Sequence, residues 1–303
     1  MRPVLTLMAL DTSYLYFRSF FGYKTDVRAP DGRPINAVKG LLDSIALLLR
    51  QHRPDLVACA WDDDWRPAWR TELIASYKAH RVEAEVPVGV DAEVVPDALA
   101  VQVPIIRDVL ERLGIAVVGA PQHEADDVLA SLTHAHPGRS LVVTGDRDLF
   151  QLIDADTRVV YVGQGVRDAP VVDDDWLVAR YGLPARRYAD FAVLRGDPSD
   201  GLPGVKGIGE KSALQVVTTF ASLASALEAA QTGAPTLSPA MRAKLLGAAD
   251  YIARATIVVE AVRDLPVSAP TPLPLAVAPA VVAELEAEYG LGGSLQRVVE
   301  AVA

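Results

Sequence analysis

Residues 121–132 read PQHEADDVLASL and set Glu124, Asp126 and Asp127 within four positions, just ahead of an apolar run. Carboxylates this close raise one another's pKa and repel. A helix start relieves part of that repulsion, because its first amides are unpaired and its macrodipole is positive there. Divalent cations would relieve the rest. The cluster therefore reads either as a heavily charged cap or as one side of a metal site, and the decision rests on whether other acids reach the same place.

Several do, because acids also stand just after the other apolar runs. Asp11 comes directly after VLTLMAL (4–10), and Asp62 comes after LVACAW (56–61). Asp146 and Asp148 come after LVVT (141–144) in VTGDRD. Asp197 and Asp200, in LRGDPSD, are three apart, enough for a turn to aim both carboxylates one way. In WDDDW, Asp63 stands as an alternative to Asp62. All-oxygen donors without paired Cys or His favour Mg²⁺ or Mn²⁺ over zinc. HEADD also fails the zinc pattern H-E-x-x-H, since residue 127 is Asp, and His123 reads as a neighbour of the site rather than a ligand.

The elements that must position these acids are legible as short apolar runs alternating with helical patterns. Runs at 4–10, 56–60, 115–118, 141–144 and 159–162 read as buried strands, and VKGLLDSIALLLR (38–50) has the three- and four-residue steps of a helix. Such alternation predicts an α/β fold with a mainly parallel central sheet flanked by helices. Ligands in open parallel sheets bind beyond the carboxyl ends of the strands. Acids after four successive strands therefore predict one acidic pocket. After about residue 176 helical patterns dominate, interrupted by the Pro-rich stretch DLPVSAPTPLPLAVAP (264–279). The expected division is an α/β core over 1–175 and a helical region over 176–303.

GVKGIG (204–209) opens into a helix that carries Lys211. It is not a P-loop, because position 210 is Glu where the lysine should stand. With glycines that let phosphate approach backbone amides, it reads as a helix–hairpin–helix over about 197–220, gripping a DNA backbone without reading bases. Gly204, Lys206, Gly207, Gly209 and Lys211 are its candidate nucleic-acid contacts.

The chain has 303 residues, half of them hydrophobic, and one cysteine, Cys59. That excludes a disulfide framework and a thiolate zinc cluster. The opening run is too short for a membrane span, so a cytoplasmic protein is expected. The net charge of −10 argues at first against nucleic acid, yet the charge is uneven. Residues 1–53 hold eight Lys/Arg against four Asp/Glu, a net of +4, and residues 54–110 hold five against eleven, a net of −6.

LDTSYLYFR, AWDDDWRPAWR, SYKAHR, HEADDVLASL, VTGDRDLFQLI and GDPSDGLPGVKGIGEKSA, in this order, make the chain resemble the flap endonuclease/5′-nuclease family, which includes the N-terminal 5′-nuclease domain of bacterial DNA polymerase I. The resemblance spans nearly the whole chain. It implies a PIN-like nuclease core with a helical arch over about 63–100, and a 5′→3′ exonuclease and flap endonuclease acting on DNA 5′ flaps, nicks and 5′ ends, with RNA–DNA hybrids as a further substrate. It implies that Asp11, Asp62, Glu124, Asp126, Asp127, Asp146, Asp148, Asp197 and Asp200 hold two or more Mg²⁺ or Mn²⁺ ions. Those nine acids take the net charge from −10 to −1, which removes the objection to DNA. Lys78 and Arg81, on the arch, and Arg18 match the family's catalytic basic residues, and the hairpin would hold K⁺ through backbone carbonyls. Trp65 and Trp69 read as packing at the arch base, with base stacking as the alternative. Thr12 and Gly201 depart from the family's usual Gly and Asn. The competing readings are a catalytically silent, structure-selective DNA-binding protein and a small-molecule phosphohydrolase.

Overall fold

In the computed structural model, residues 4–22, 26–84 and 90–303 are described. Nine strands occur among them: β1 (Thr6–Asp11), β2 (Leu56–Ala60), β3 (Val82–Ala84), β4 (Ala92–Glu93), β5 (Ala116–Val118), β6 (Arg139–Thr144), β7 (Thr157–Tyr161), β8 (Val171–Val172) and β9 (Thr271–Pro272). The central sheet runs β5-β2-β1-β6-β7-β8, with β9 on β2. β5, β2, β1, β6 and β7 are mutually parallel, while β8 and β9 are antiparallel additions. The expected parallel sheet is present, and its strands coincide with the five apolar runs.

Side chains alternate across the sheet with the period of two that strands impose. Leu7, Ala9, Val142 and Val159 face one core, built with helices Ala125–Ala135 and Tyr188–Arg195. Met8, Leu10, Val143 and Val160 face the other, built with helices Asn36–His52 and Val103–Arg112. Both faces are covered, as parallel sheets require. Among the described residues no single helix is long and apolar enough to cross a membrane.

Two expectations are corrected. The span 63–100 is helical only in part: helix Ala68–Leu73, a 3-10 turn over Ala79–Arg81, the β3–β4 ribbon and helix Asp97–Ala100. Pro67 and Pro96 each stand just before a helix start, and Lys78 adopts a left-handed conformation (φ 47°) that no α-helix can continue through. Residues 85–89 lie outside the described residues, Glu85 among them. The expected division at 175/176 also fails at the C-terminus, because the chain returns to the sheet. Thr271 and Pro272 pair with Val57 and Leu56, and helix Gly293–Val302 packs on helix Asn36–His52. The Pro-rich stretch is the return strap rather than an interruption: the Leu273 amide donates to the Asp55 carbonyl (2.8 Å) and that of Leu275 to the Val302 carbonyl (2.6 Å).

Leu295, 1% exposed, anchors that closing helix in the second core. Leu295→Ala is expected to lower stability by about 3 kcal/mol through lost burial and a cavity, measured by urea unfolding.

Candidate active site

The chain runs outward from β1 through β2 to β5, and in the other direction from β6 through β7 to β8, so β1 and β6 are neighbours at a topological switch point. Beyond their carboxyl ends lies a cleft of about 680 Å³. Asp11, Asp62, Glu124, Asp126, Asp146 and Asp200 line it, drawn from four strand ends and the turn before the hairpin. The acids separated in sequence therefore do meet. Asp63 turns aside to Arg107 (3.3 Å), so Asp62 is the member of WDDDW in the cleft.

Backbone geometry aims these groups. The Asp11 carboxylate accepts from Thr144 Oγ1 (2.7 Å) and the Tyr14 amide (3.0 Å), and Asp62 accepts from the Ala125 amide at the start of helix Ala125–Ala135 (2.8 Å). Burial pushes Asp11 up to about 6, with Asp62 and Asp146 adding their repulsion to it. Burial and the charges of Asp146 and Asp11 raise Asp126 strongly. Asp148 is raised by burial and by Asp146, Asp200 and Asp197; it borders a small side cavity with Asp126 and Asp200. Among the described residues no three acids already close on one point.

Glu124 and Asp127 behave differently, because the protein supplies their cation. Arg70, 3% exposed, donates to Glu124 Oε1 (2.9 Å) and to both oxygens of Asp127 (2.7 and 2.9 Å). Glu124 also accepts from Tyr77 Oη (2.8 Å) and from Lys78 Nζ. Burial alone would raise Glu124, but Lys78 and Arg70 outweigh it and hold the carboxyl below its usual range. Asp127 further accepts from the Val262 amide (2.9 Å) and forms a capping box with Glu124. Asp127 is thus corrected from candidate ligand to internal counter-ion: it is fully buried and does not line the cleft. Asp197 likewise lies off the cleft, accepting from the Ser199 amide (2.8 Å) and Arg195 (3.1 Å) in its own turn.

Of the basic candidates, Lys78 and Arg81 line the cleft among the acids, Lys78 donating to Glu124 and Arg81 to Asp200 Oδ1 (3.0 Å). Arg18 does not. It borders an adjoining groove with Tyr14, Phe17 and Phe21 and reaches the Gly163 carbonyl (3.4 Å). Trp69 donates to the Gln122 carbonyl (3.1 Å) beneath the Arg70 guanidinium, as packing predicts, while Trp65 both donates to the Asp91 carbonyl (2.7 Å) and lines the cleft. His123 packs beside Trp69, outside the cleft.

The glycine-rich turn joins helices Tyr188–Arg195 and Glu210–Thr219. Gly204 and Gly207 have φ of 69° and 79°, and a Cβ on Gly204 would stand 2.5 Å from the Arg195 carbonyl oxygen, so glycine is required there. Gly209 caps the second helix, and Lys206 and Lys211 are exposed.

With the fold and cleft in place, comparison with known proteins gives a family. The model of the 5′-3′ exonuclease N-terminal resolvase-like domain matches residues 6–182, and that of the 5′-3′ exonuclease C-terminal SAM fold matches residues 183–278. This chain belongs to the 5′-3′ exonuclease family. A Streptomyces coelicolor protein named 5′-3′ exonuclease is 50% identical over 96% of this chain and 98% of its own, and a Mycobacterium tuberculosis protein of the same name is 45% identical over 98% and 97%. DNA polymerase I of Mycobacterium bovis is 37% identical over 87% of this chain and 28% of its own length. T5 5′-exonuclease with bound zinc ions shares the fold (TM-score 0.65, 16% identity, 98% of each chain). So does the catalytic core of Rad2 in complex with a DNA substrate (TM-score 0.57, 18% identity, 98% of this chain and 90% of that one).

The sequence reading of this family member missed Arg70, Tyr77, His80 and Glu93. His80 and Glu93 line the cleft, and Arg70 and Tyr77 act from behind it. AWR carries no local signal for a buried arginine; only the unbalanced acids at 124–127 implied that some cation must face them. Asp127→Asn removes half of the charge facing Arg70 and is expected to cost about 3 kcal/mol of stability, the scale of breaking a buried ion pair, in a urea titration. Metal affinity of the folded variant, by calorimetry, is expected to stay at the unmutated level.

Proposed function

We propose that the chain is a divalent-metal-dependent 5′→3′ exonuclease and 5′-flap endonuclease that hydrolyses DNA phosphodiesters in replication and repair. The observation that carries this reading is the contrast within one acid cluster. Glu124 and Asp127 have protein cations, whereas Asp11, Asp62, Asp126 and Asp146 face one cleft with too few. All the donors are carboxylate oxygens, which fits Mg²⁺ or Mn²⁺. Asp11, Asp62, Asp126, Asp146, Asp148 and Asp200 would hold the ions. When bound, they supply a water of lowered pKa and positive charge for the leaving oxygen.

The chain's own residues do the positioning. Arg81 and Lys78, which line the same cleft, are donors for the phosphate of the strand being cut, and Arg18 borders the adjoining groove along which that strand continues. The hairpin grips the duplex backbone without base readout, which suits 5′ flaps, nicks and 5′ ends of any sequence and admits RNA–DNA hybrids. Such substrates place the protein with the chromosome, in the cytoplasm. The K⁺ implied by the resemblance would be held by backbone carbonyls of this hairpin, among which that of Gly207 accepts from Lys244 Nζ (2.6 Å). A silent DNA binder is disfavoured, because uncompensated acids would only repel phosphate.

Incubation of a labelled 5′-flap duplex with Mn²⁺ is expected to release a short product. Asp146→Ala is expected to cut at least about a hundredfold more slowly, the scale of losing one electrostatic stabiliser of the transition state. Flap binding in a gel shift should survive. Full turnover by the variant would rule out this site.

A further inference from the structure

The segment that carries Lys78 and Arg81 is fastened to the turn just ahead of the hairpin. Ser76 Oγ donates to the Gly201 carbonyl (2.7 Å), and the Lys78 amide donates to the Asp200 carbonyl (2.9 Å). Arg81 donates to the Ser199 carbonyl (2.7 Å) and to Asp200 Oδ1 (3.0 Å). Consecutive residues of the turn, 199–201, thus accept from arch residues spread over 76–81. Both partners are anchored by their own flanks, because Ile74, Tyr77, Leu202 and Val205 are buried in the same core. The turn is also closed on itself: the Asp197 amide donates to the Leu202 carbonyl (3.0 Å), and the Leu202 amide to that of Asp197 (2.8 Å).

Gly201 permits this approach in two ways. Its φ of 69° lies in the left-handed region, which glycine enters freely. A Cβ on it would stand 2.0 Å from the Ser76 carbonyl oxygen and 3.3 Å from the Lys78 nitrogen. Both atoms are backbone, so no side-chain rotation can clear the space. Asparagine tolerates the left-handed conformation, so it separates the two demands. Asn, the residue the family usually carries here, is therefore excluded by space and not by backbone angle. The docked segment also holds strain of its own. Lys78 has φ 47°, which a non-glycine residue keeps only where its surroundings fix it, and its amide bond to Asp200 does so.

We infer that Gly201 is a positioning residue for the cutting step: lacking a side chain, it lets the turn dock on the arch and so sets where Lys78 and Arg81 stand in the cleft. Every bond of this latch has both partners within the chain, so it needs no substrate to form, and the two donors are preorganised. The latch also ties them to the hairpin. The same turn runs on to Val205, whose amide donates to the Leu194 carbonyl (2.9 Å) on the first helix of the motif. The catalytic consequence rests on the function proposed above, whereas the docking of the arch does not.

Gly201→Asn tests the space, and Ser76→Ala, which removes only a hydroxyl, is the milder second variant. Hydrogen exchange on the protein alone is expected to show the Lys78 and Arg81 amides protected. Gly201→Asn should lose that protection, and Ser76→Ala should exchange there about fivefold faster, the scale of one neutral hydrogen bond. On a labelled 5′ flap with Mn²⁺, Gly201→Asn is expected to lower the single-turnover rate about a hundredfold, the scale of a misplaced group, with half-saturation unchanged. A double-mutant cycle separates positioning from general damage. In a Lys78→Met background the penalty of Gly201→Asn should shrink about tenfold, because the group it positions is gone. An equal penalty in both backgrounds overturns the inference, as does a Gly201→Asn variant with full protection or full rate. If Gly201→Asn does not fold, Ser76→Ala still decides the docking, and unchanged protection in it overturns the inference. If the unmutated protein cuts no flap, the proposed function fails, and the exchange measurement alone decides whether the arch is docked.

Discussion

A carboxylate can be taken out of water only beside a cation or with its proton on, and Arg70 is where this chain meets that condition. Its guanidinium spans Glu124 and Asp127 at once, a geometry that the planar five-donor fork allows and an ammonium does not. Through Glu124 it fixes Tyr77 and Lys78, through Asp127 the Val262 amide, and through its own Nε the Val258 carbonyl (3.1 Å). One side chain thus joins the arch, the helix that starts at the acid cluster and the end of helix Ala249–Val259 with the residues just after it. It also divides that cluster in two. Asp127, turned inward, and Glu124, at the cleft, are neutralised by the protein, and Asp126 is left facing the cleft.

That division depends on the topology beneath it. Only at the switch between β1 and β6 do loops leave in opposite directions and open a space that side chains from several strands can enter. Asp11 is the last residue of β1, and Asp62 and Asp146 each stand two residues beyond a strand end, so small changes in strand length would move each out of register. The return strap secures the arrangement from outside, since β9 covers the part of β2 that β5 leaves unpaired.

The strands and the cleft acids were legible because each depends on local pattern plus one topological rule. An apolar run of five residues reads as a buried strand, and an acid just after it lies at the carboxyl edge whatever the partner strands are. Asp127 was not legible in that way. Its neighbour Asp126 is one residue nearer the strand, and the rotation of about 100° between adjacent helix positions places one side chain in the cleft and the other inward, where only the presence of Arg70 makes the position tenable. The helical arch was expected from the family resemblance alone, while the left-handed backbone at Lys78 depends on a tertiary bond from its amide to the Asp200 carbonyl (2.9 Å). The domain division failed for a related reason. A Pro-rich stretch reads as an interruption, yet proline suits an edge strand that needs few amide donors.

The acidity of the chain and its reading as a DNA enzyme are compatible because the charges are separated in space and differ in what neutralises them. At the hairpin the protein brings its own positive groups, Lys206, Lys211 and Lys244, to a glycine turn that a phosphate backbone can approach closely. In the cleft the bare acids oppose phosphate until metal ions reverse the local sign. On the proposed function, grip and chemistry have separate electrostatic requirements, the first met by lysines and the second by ions from solution. On the proposed function, a substrate could then be held at the hairpin before the cleft is ready to cut. A single uniformly basic surface would hold DNA as well, but it would offer nothing to gather the ions that the cutting step requires.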